Sequence, residues 1–142
     1  MGSSLFVSLP VTDLAASLAF YEALGFRREP RFSGEGGACV VWDEAVSFML
    51  LTHAKWRGFT QRPIPAKGSS EVMLALRCRD RAMVDAMSRA AAAHGGEADI
   101  NPVENHGFMY TRDLADPDGH AIGAMWMDTS AMPQGGDASP PA

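Results

Sequence analysis

The stretch Leu5 to Phe26, LFVSLPVTDLAASLAFYEALGF, constrains the chain most, because it changes period midway and then recurs. Up to Val11 it alternates, with Leu5, Val7 and Leu9 on one strand face. Beyond that point Leu14, Leu18, Tyr21 and Leu24 return at helical spacing. Asp13 stands at the switch, where its carboxylate can accept from the free amides of a first helical turn, and Gly25 suits the left-handed residue that stops a helix. Sliding the chain along itself by 67 positions sets VMLALRCRD under LFVSLPVTD, so that Leu5, Val7, Leu9, Val11 and Asp13 meet Val72, Leu74, Leu76, Cys78 and Asp80. A second helix, Arg81 to His94, follows with Met83, Met87, Ala90 and Ala91 on one face and ends at Gly95-Gly96. Any two strand-helix units share hydrophobic alternation. Here cap, strand length and stop agree together, which favours a duplicated unit.

FVSLPVTDLAASLAFYEALGF resembles the opening of the vicinal oxygen chelate superfamily, also called the glyoxalase, bleomycin-resistance and extradiol-dioxygenase superfamily, and DLADPDGHAIGAMWM resembles its closing hairpin. The resemblance spans Leu5 to Asp128. Within it the chain looks most like short bacterial proteins described as predicted lactoylglutathione lyases, whose ends read much like GFMYTRDLADPDGH followed by a Trp-Met pair. The resemblance implies an α+β fold of tandem βαβββ units, 5–53 and 71–128, whose curved mixed sheets enclose a cleft within one domain, 1–128. It also implies a homodimer, since eight strands in two half-barrels leave edges and apolar segments such as Met125-Trp126-Met127 to be covered.

The rest of the chain agrees with that plan. Its 142 residues suit one domain, and such a domain buries roughly 68 to 70% of the surface its unfolded chain exposes. The formal charge of −5 and a pI near 5.2 argue against nucleic acid or an anionic membrane as partner. No apolar run approaches a membrane span, and the N-terminal residues read unlike a signal peptide, so the cytoplasm is the expected location. Cys39 and Cys78 lie in apolar strand contexts without metal-type spacing and read as reduced core residues.

Strands are expected at Phe26 to Phe32, Ala38 to Trp42 and Val46 to Thr52, the last a continuous apolar run, VSFMLLT. Residues 54–70, AKWRGFTQRPIPAKGSS, break every period and read as the linker between the units. Lys55, Arg57, Arg62 and Lys67 lie there without an acid, which suits an anionic ligand or a dimer partner, with Trp56 and Phe59 as a lid. The plainer reading is a solvated connection whose aromatics cover a core edge. In the second unit an irregular strand, Glu97 to Glu104, is broken by Pro102; a better one runs His106 to Leu114, and Ala121 to Met127 follows the type I turn Asp116-Pro117-Asp118-Gly119. Residues 129–142, small, polar and proline-rich, read as a disordered tail.

Metal-using members of the family place histidine, glutamine or glutamate on the first and last strand of each unit. By the resemblance the first-strand positions here are Phe6 and Met73, and the glutamate usual four residues after the glycine of DPDG is Gly123. Val46 to Thr52 contains none of the usual ligand types in any register. No metal is therefore expected, and the lyase and dioxygenase activities, which need one to polarise vicinal oxygens, lose their support. His53, His94, His106 and His120 show no paired spacing and read as surface or capping residues. Ser8 lacks a partner for a nucleophile's role and reads as a small cleft residue. Phe108, Tyr110 and Arg112 alternate on one strand, where Arg112 could clamp a ligand's carboxylate or pair with Asp113, Asp116 or Asp118.

These residues define an expected cleft of Phe6, Ser8, Met73, Ala75, Tyr110, Arg112, Gly123 and Met125, mostly apolar and without cofactor. Two classes of function remain open. One is a protein that binds a small organic molecule, as the bleomycin-resistance branch does; the other is an enzyme, either metal-dependent like the lyases and dioxygenases or metal-free.

Overall fold

In the computed structural model, which describes residues 2–131, both expected strand-helix units form, with the same topology. The first unit runs β1 (Leu5–Val11), α1 (Leu14–Leu24), β2 (Arg27–Gly34), β3 (Gly37–Asp43) and β4 (Val46–Thr52). Helix α2 (His53–Phe59) and an irregular strap lead to the second unit: β5 (Leu74–Arg77), α3 (Arg81–Ala93), β6 (Glu104–Asn105), β7 (Met109–Ala115) and β8 (Ala121–Met127). Each unit makes a four-stranded mixed sheet, ordered β1-β4-β3-β2 and β5-β8-β7-β6. In each the first strand pairs in parallel with the last, and the other pairings are antiparallel. Leu5–Val11 and Leu74–Arg77 thus hold equivalent places.

The two helices start on matching signals. Asp13 accepts from the Ala16 amide and Asp80 from the Met83 amide, each satisfying an otherwise unpaired first-turn donor. Gly25 stops α1 in the left-handed conformation at φ 113°, and its amide and that of Phe26 bond back to the last turn. Residues of both sheets and both helices share one core, in which Val11, Phe20, Tyr21, Leu50, Val84, Leu114 and Ile122 are fully buried. The buried stripe of α3 is Val84, Met87, Ser88 and Ala91, displaced from the expected Met83, Met87, Ala90 and Ala91, because the helix lies against both α1 and its own sheet.

A polar clasp joins the units. The turn after β7 closes with the Gly119 amide bonded to the Asp116 carbonyl, and the Asp116 carboxylate accepts from the Asp118 and His120 amides at 2.9 Å each. Its other oxygen accepts the Tyr21 hydroxyl of α1 at 2.7 Å. Asp118 accepts both the Thr12 amide and hydroxyl at 2.9 and 2.8 Å, and the His120 ring lies 2.7 Å from the Pro10 carbonyl, so its Nε2 carries the proton. Gly96 makes the same joint tight: a Cβ there would lie 2.2 Å from the Ala115 carbonyl oxygen and 2.5 Å from the Phe20 ring.

Four sequence expectations are corrected. The segment 54–70 opens with α2, capped by Thr52, whose hydroxyl accepts from the Lys55 amide; seven residues are too few to display a period. Glu97 to Glu104 is reduced to one bridge, Glu97 to Ala115, before β6, since Pro102 has no amide to donate and Asp99 is left-handed at φ 53°. The strand expected from His106 begins at Met109, because Gly107 turns the chain at φ 81°. Thr129–Ala131 forms a short 3-10 turn, and the remainder of the expected tail lies outside the described residues.

Tyr21→Phe tests the clasp. It leaves the buried Asp116 carboxylate one donor short, and we expect a loss of about 1–3 kcal/mol in urea unfolding. An unchanged midpoint would show that the clasp contributes nothing.

Candidate functional site

Strand alternation divides each sheet into a face against the helices and an opposite face, the concave one of the expected fold. On β1 the odd residues Val7, Leu9 and Val11 enter the core, so Phe6 and Ser8 turn the other way. Pairing sets Ser47 beside Phe6 and Met49 beside Ser8, then Cys39 beside Met49 and Glu29 beside Cys39. In the second sheet Ala75 and Arg77 meet Gly123 and Met125 on β8, which meet Asp113 and Thr111 on β7. The concave faces thus hold Phe6, Ser8, Ala75, Gly123 and Met125, with Met73 just ahead of β5. They are open: Phe6 is 50% exposed and Met73 70%.

Tyr110 and Arg112 are not on this surface. Register places them beside Trp126 and Ala124, on the face toward α3. There the Tyr110 hydroxyl donates to Asp85, and Arg112 pairs with Asp85 at 3.0 Å and Asp99 at 2.7 Å. The sequence shows which residues of a strand share a side but not which side is inward, and the acids on α3 and before β6 capture the arginine. Tyr110 and Arg112 hold Asp85 below the ordinary carboxylate range, and Arg112 does the same for Asp99. Arg81, stacked 4.8 Å from the Trp126 ring, ties the Gly107 carbonyl and Asn105 to the same edge.

Two carboxylates do sit on the concave faces: Glu29, which the sequence does not single out, and Asp113, which is expected only as a possible partner of Arg112 and is not one. Glu29 is only 7% exposed, and Arg31 binds it at 2.6 and 3.1 Å and lowers its pKa. Asp113 accepts from Asn101 at 3.0 Å and crowds Gly123, where a Cβ would meet its oxygen at 3.0 Å. Gly123 is therefore less a source of room than a close approach between strands. Alternation placed each acid on one side of its strand, but only the pairing register shows that side to be the one turned away from the helices.

Register also settles the fourth position of the metal pattern. Ser8 pairs with Met49 as Ala75 pairs with Gly123, so Met49 takes in the first sheet the place of Gly123 in the second. Phe6, Met49, Met73 and Gly123 supply at most two thioethers, which suit no hard divalent cation. The donor set does not fit a metal of the kind the fold accommodates elsewhere. Among the described residues no group of three His, Cys, Asp or Glu could hold an ion. The histidines are dispersed: His53 opens α2, His94 bonds the Ala90 carbonyl, His106 lies 3.5 Å from Glu104, and His120 serves the clasp. Cys39 and Cys78 are buried and unpaired, and burial raises both thiol pKa values. No helix of the described residues is long and apolar enough to cross a membrane.

Replacing Arg112 with Met removes the partner of both acids. Their depressed pKa values contribute stability above the unfolded-state value and lose it as pH falls, so the wild-type advantage over Arg112→Met should be full at pH 7 and fade below about pH 4. Urea midpoints at both pH values measure it; an advantage independent of pH would refute the assignment.

Residues 4–123 match the model of the Glyoxalase/Bleomycin resistance protein/Dioxygenase superfamily. No curated protein sequence matches the chain significantly. Among solved structures, a hypothetical protein of S. aureus is 22% identical with a TM-score of 0.73, covering 89% of this chain and 94% of its own. A glyoxalase/bleomycin resistance protein from Albidiferax ferrireducens T118 is 26% identical with a TM-score of 0.66, over 87% and 97%. TnmS3, an antibiotic binding protein from Streptomyces sp. CB03234, is 24% identical with a TM-score of 0.62, over 90% and 98%. With two βαβββ-type sheets in the same order and a family match across most of its length, the chain belongs to the glyoxalase/bleomycin resistance protein/dioxygenase superfamily.

Proposed function

We propose that the protein is a cytoplasmic binder of a small organic molecule, held against the concave faces without a catalytic metal. The observation that carries this reading is the chemistry of the four positions Phe6, Met49, Met73 and Gly123, apolar where an ion would need oxygen or nitrogen. One such replacement could be repaired by a neighbour; four together indicate a surface suited to hydrophobic contact. An aromatic ligand buried there gains a few kcal/mol at roughly 25 cal/mol per Å² of apolar area, less the cost of ordering it. TnmS3 of Streptomyces sp. CB03234, similar in fold, is an antibiotic binding protein, which supports the binding reading.

The cleft is completed by a second copy of the chain. Phe6, Phe32 and Met73, each at least half exposed, lie on or beside the concave faces, and large apolar side chains clustered on a sheet face mark an interaction surface. A homodimer that sets one protomer's first sheet against its partner's second would cover them and enclose the ligand.

Metal analysis tests the first statement. After incubation with Zn²⁺, Ni²⁺, Mn²⁺ or Fe²⁺ and desalting, we expect no stoichiometric ion and no isomerisation of the glutathione hemithioacetal. A stoichiometric ion with turnover lost on chelation would restore the alternative, a lactoylglutathione-lyase-like or dioxygenase-like enzyme. Light scattering tests the second: at micromolar concentration the mass should be twice 15.2 kDa, and Phe6→Glu with Met73→Glu should halve it. A wild-type monomer would refute the dimer.

A further inference from the structure

We propose that the junction of the two units carries a second ligand site, separate from the concave cleft, which takes a small ring-bearing molecule with an anionic group. A cavity of about 360 Å³ lies there, between the end of β1, the start of β5 and the strap that follows α2. Its volume is within the range of small-molecule sites and too small for a folded partner. Phe6, Ser8, Ala75, Gly123 and Met125 do not line it.

Its walls are flat and apolar. Trp56, Pro63, Pro65, Val72 and Leu74 surround a floor made by Pro10 and Ala121, which suits a ring stacked between an indole and proline faces. The strap that forms the roof is held in place. Pro63 and Pro65 restrict it, the Ser69 amide bonds the Ala66 carbonyl, and Gly68 turns at φ 94°. Lys67 and Gly68 rest on the clasp turn so closely that a Cβ on Gly119 would come within 2.9 Å of the lysine side chain and 3.2 Å of the Gly68 amide. A roof anchored to the core of the molecule keeps the cavity formed.

Three ionisable groups line the cavity: Arg62, Glu71 and His120. His120 is engaged with the Pro10 carbonyl. Arg62 has no carboxylate within ion-pair distance among the described residues, Glu71 included. The guanidinium is thus available to a carboxylate or sulfonate, which it binds in a forked geometry that a lysine cannot offer. Its position beside an indole and two prolines selects an anion attached to a ring over inorganic anions.

The experiment uses the full chain and two fluorescent probes, the anionic 8-anilinonaphthalene-1-sulfonate and the cationic 2-(1-naphthyl)ethylammonium. The sulfonate should bind and accept energy from tryptophan, with the cation binding more weakly. Arg62→Ala should weaken the sulfonate about fivefold, the effect of one exposed charge contact, and leave the cation unchanged. Val72→Trp, at a position 59% exposed and therefore compatible with folding, should fill the cavity and abolish the signal. Ser8→Trp and Ala75→Trp, which obstruct only the concave faces, should leave it intact, and this separates failure here from failure of the cleft. The proposal is overturned if the wild type takes up no sulfonate, if the signal survives Val72→Trp, or if Ser8→Trp or Ala75→Trp removes it.

Discussion

The buried carboxylate of Asp116 is the interaction on which the arrangement of the two units depends. It is 2% exposed, and burial pushes its pKa up, so an ionised Asp116 must be held by donors supplied around it. Two come from its own turn and the third is the Tyr21 hydroxyl of the other unit, itself fully buried and with its pKa raised well above the ordinary value. Neither partner can separate without leaving the other unsatisfied in an apolar interior, a cost of about 1–3 kcal/mol per group. With Thr12 on Asp118 and His120 on Pro10, the turn after β7 serves as the hinge pin of the domain.

That joint explains where the openings lie. Because the helices and the clasp consume one face of each sheet, the described residues leave large apolar groups exposed on the concave faces. The strap cannot close over them, since Lys67 and Gly68 are seated on Gly119. It closes instead over the junction, where Trp56 and the prolines bound the cavity between the units. The openings of this domain are consequently divided by construction between an open pair of faces and a roofed junction.

The donor types on the concave faces do not suit a hard metal ion. The same strand positions that face inward in this topology carry phenyl, thioether or hydrogen, and the acids that do reach the concave faces are otherwise engaged, Glu29 by Arg31 and Asp113 by Asn101. A carboxylate already satisfied by a guanidinium or amide is a poor starting point for a metal ligand or a base. Shape and apolar contact are what the faces offer.

Much of this was legible in the sequence. Local signals decided the repeated strand-helix unit, because an aspartate cap and a glycine stop act within one turn of chain, and the caps fell where the residues indicated. At Phe6, Met73 and Gly123 the family resemblance supplied the positions, and residue identity then showed that donors are missing. What the tertiary structure alone decided was pairing across distance. The side on which Tyr110 and Arg112 emerge depends on how β7 lies against α3, and the partner of Tyr21 is 95 residues away. Met49 became the counterpart of Gly123 only through strand register. Alternation tells which residues share a face, but only the packing of helices onto one side of a sheet determines which face is buried and which is left to bind.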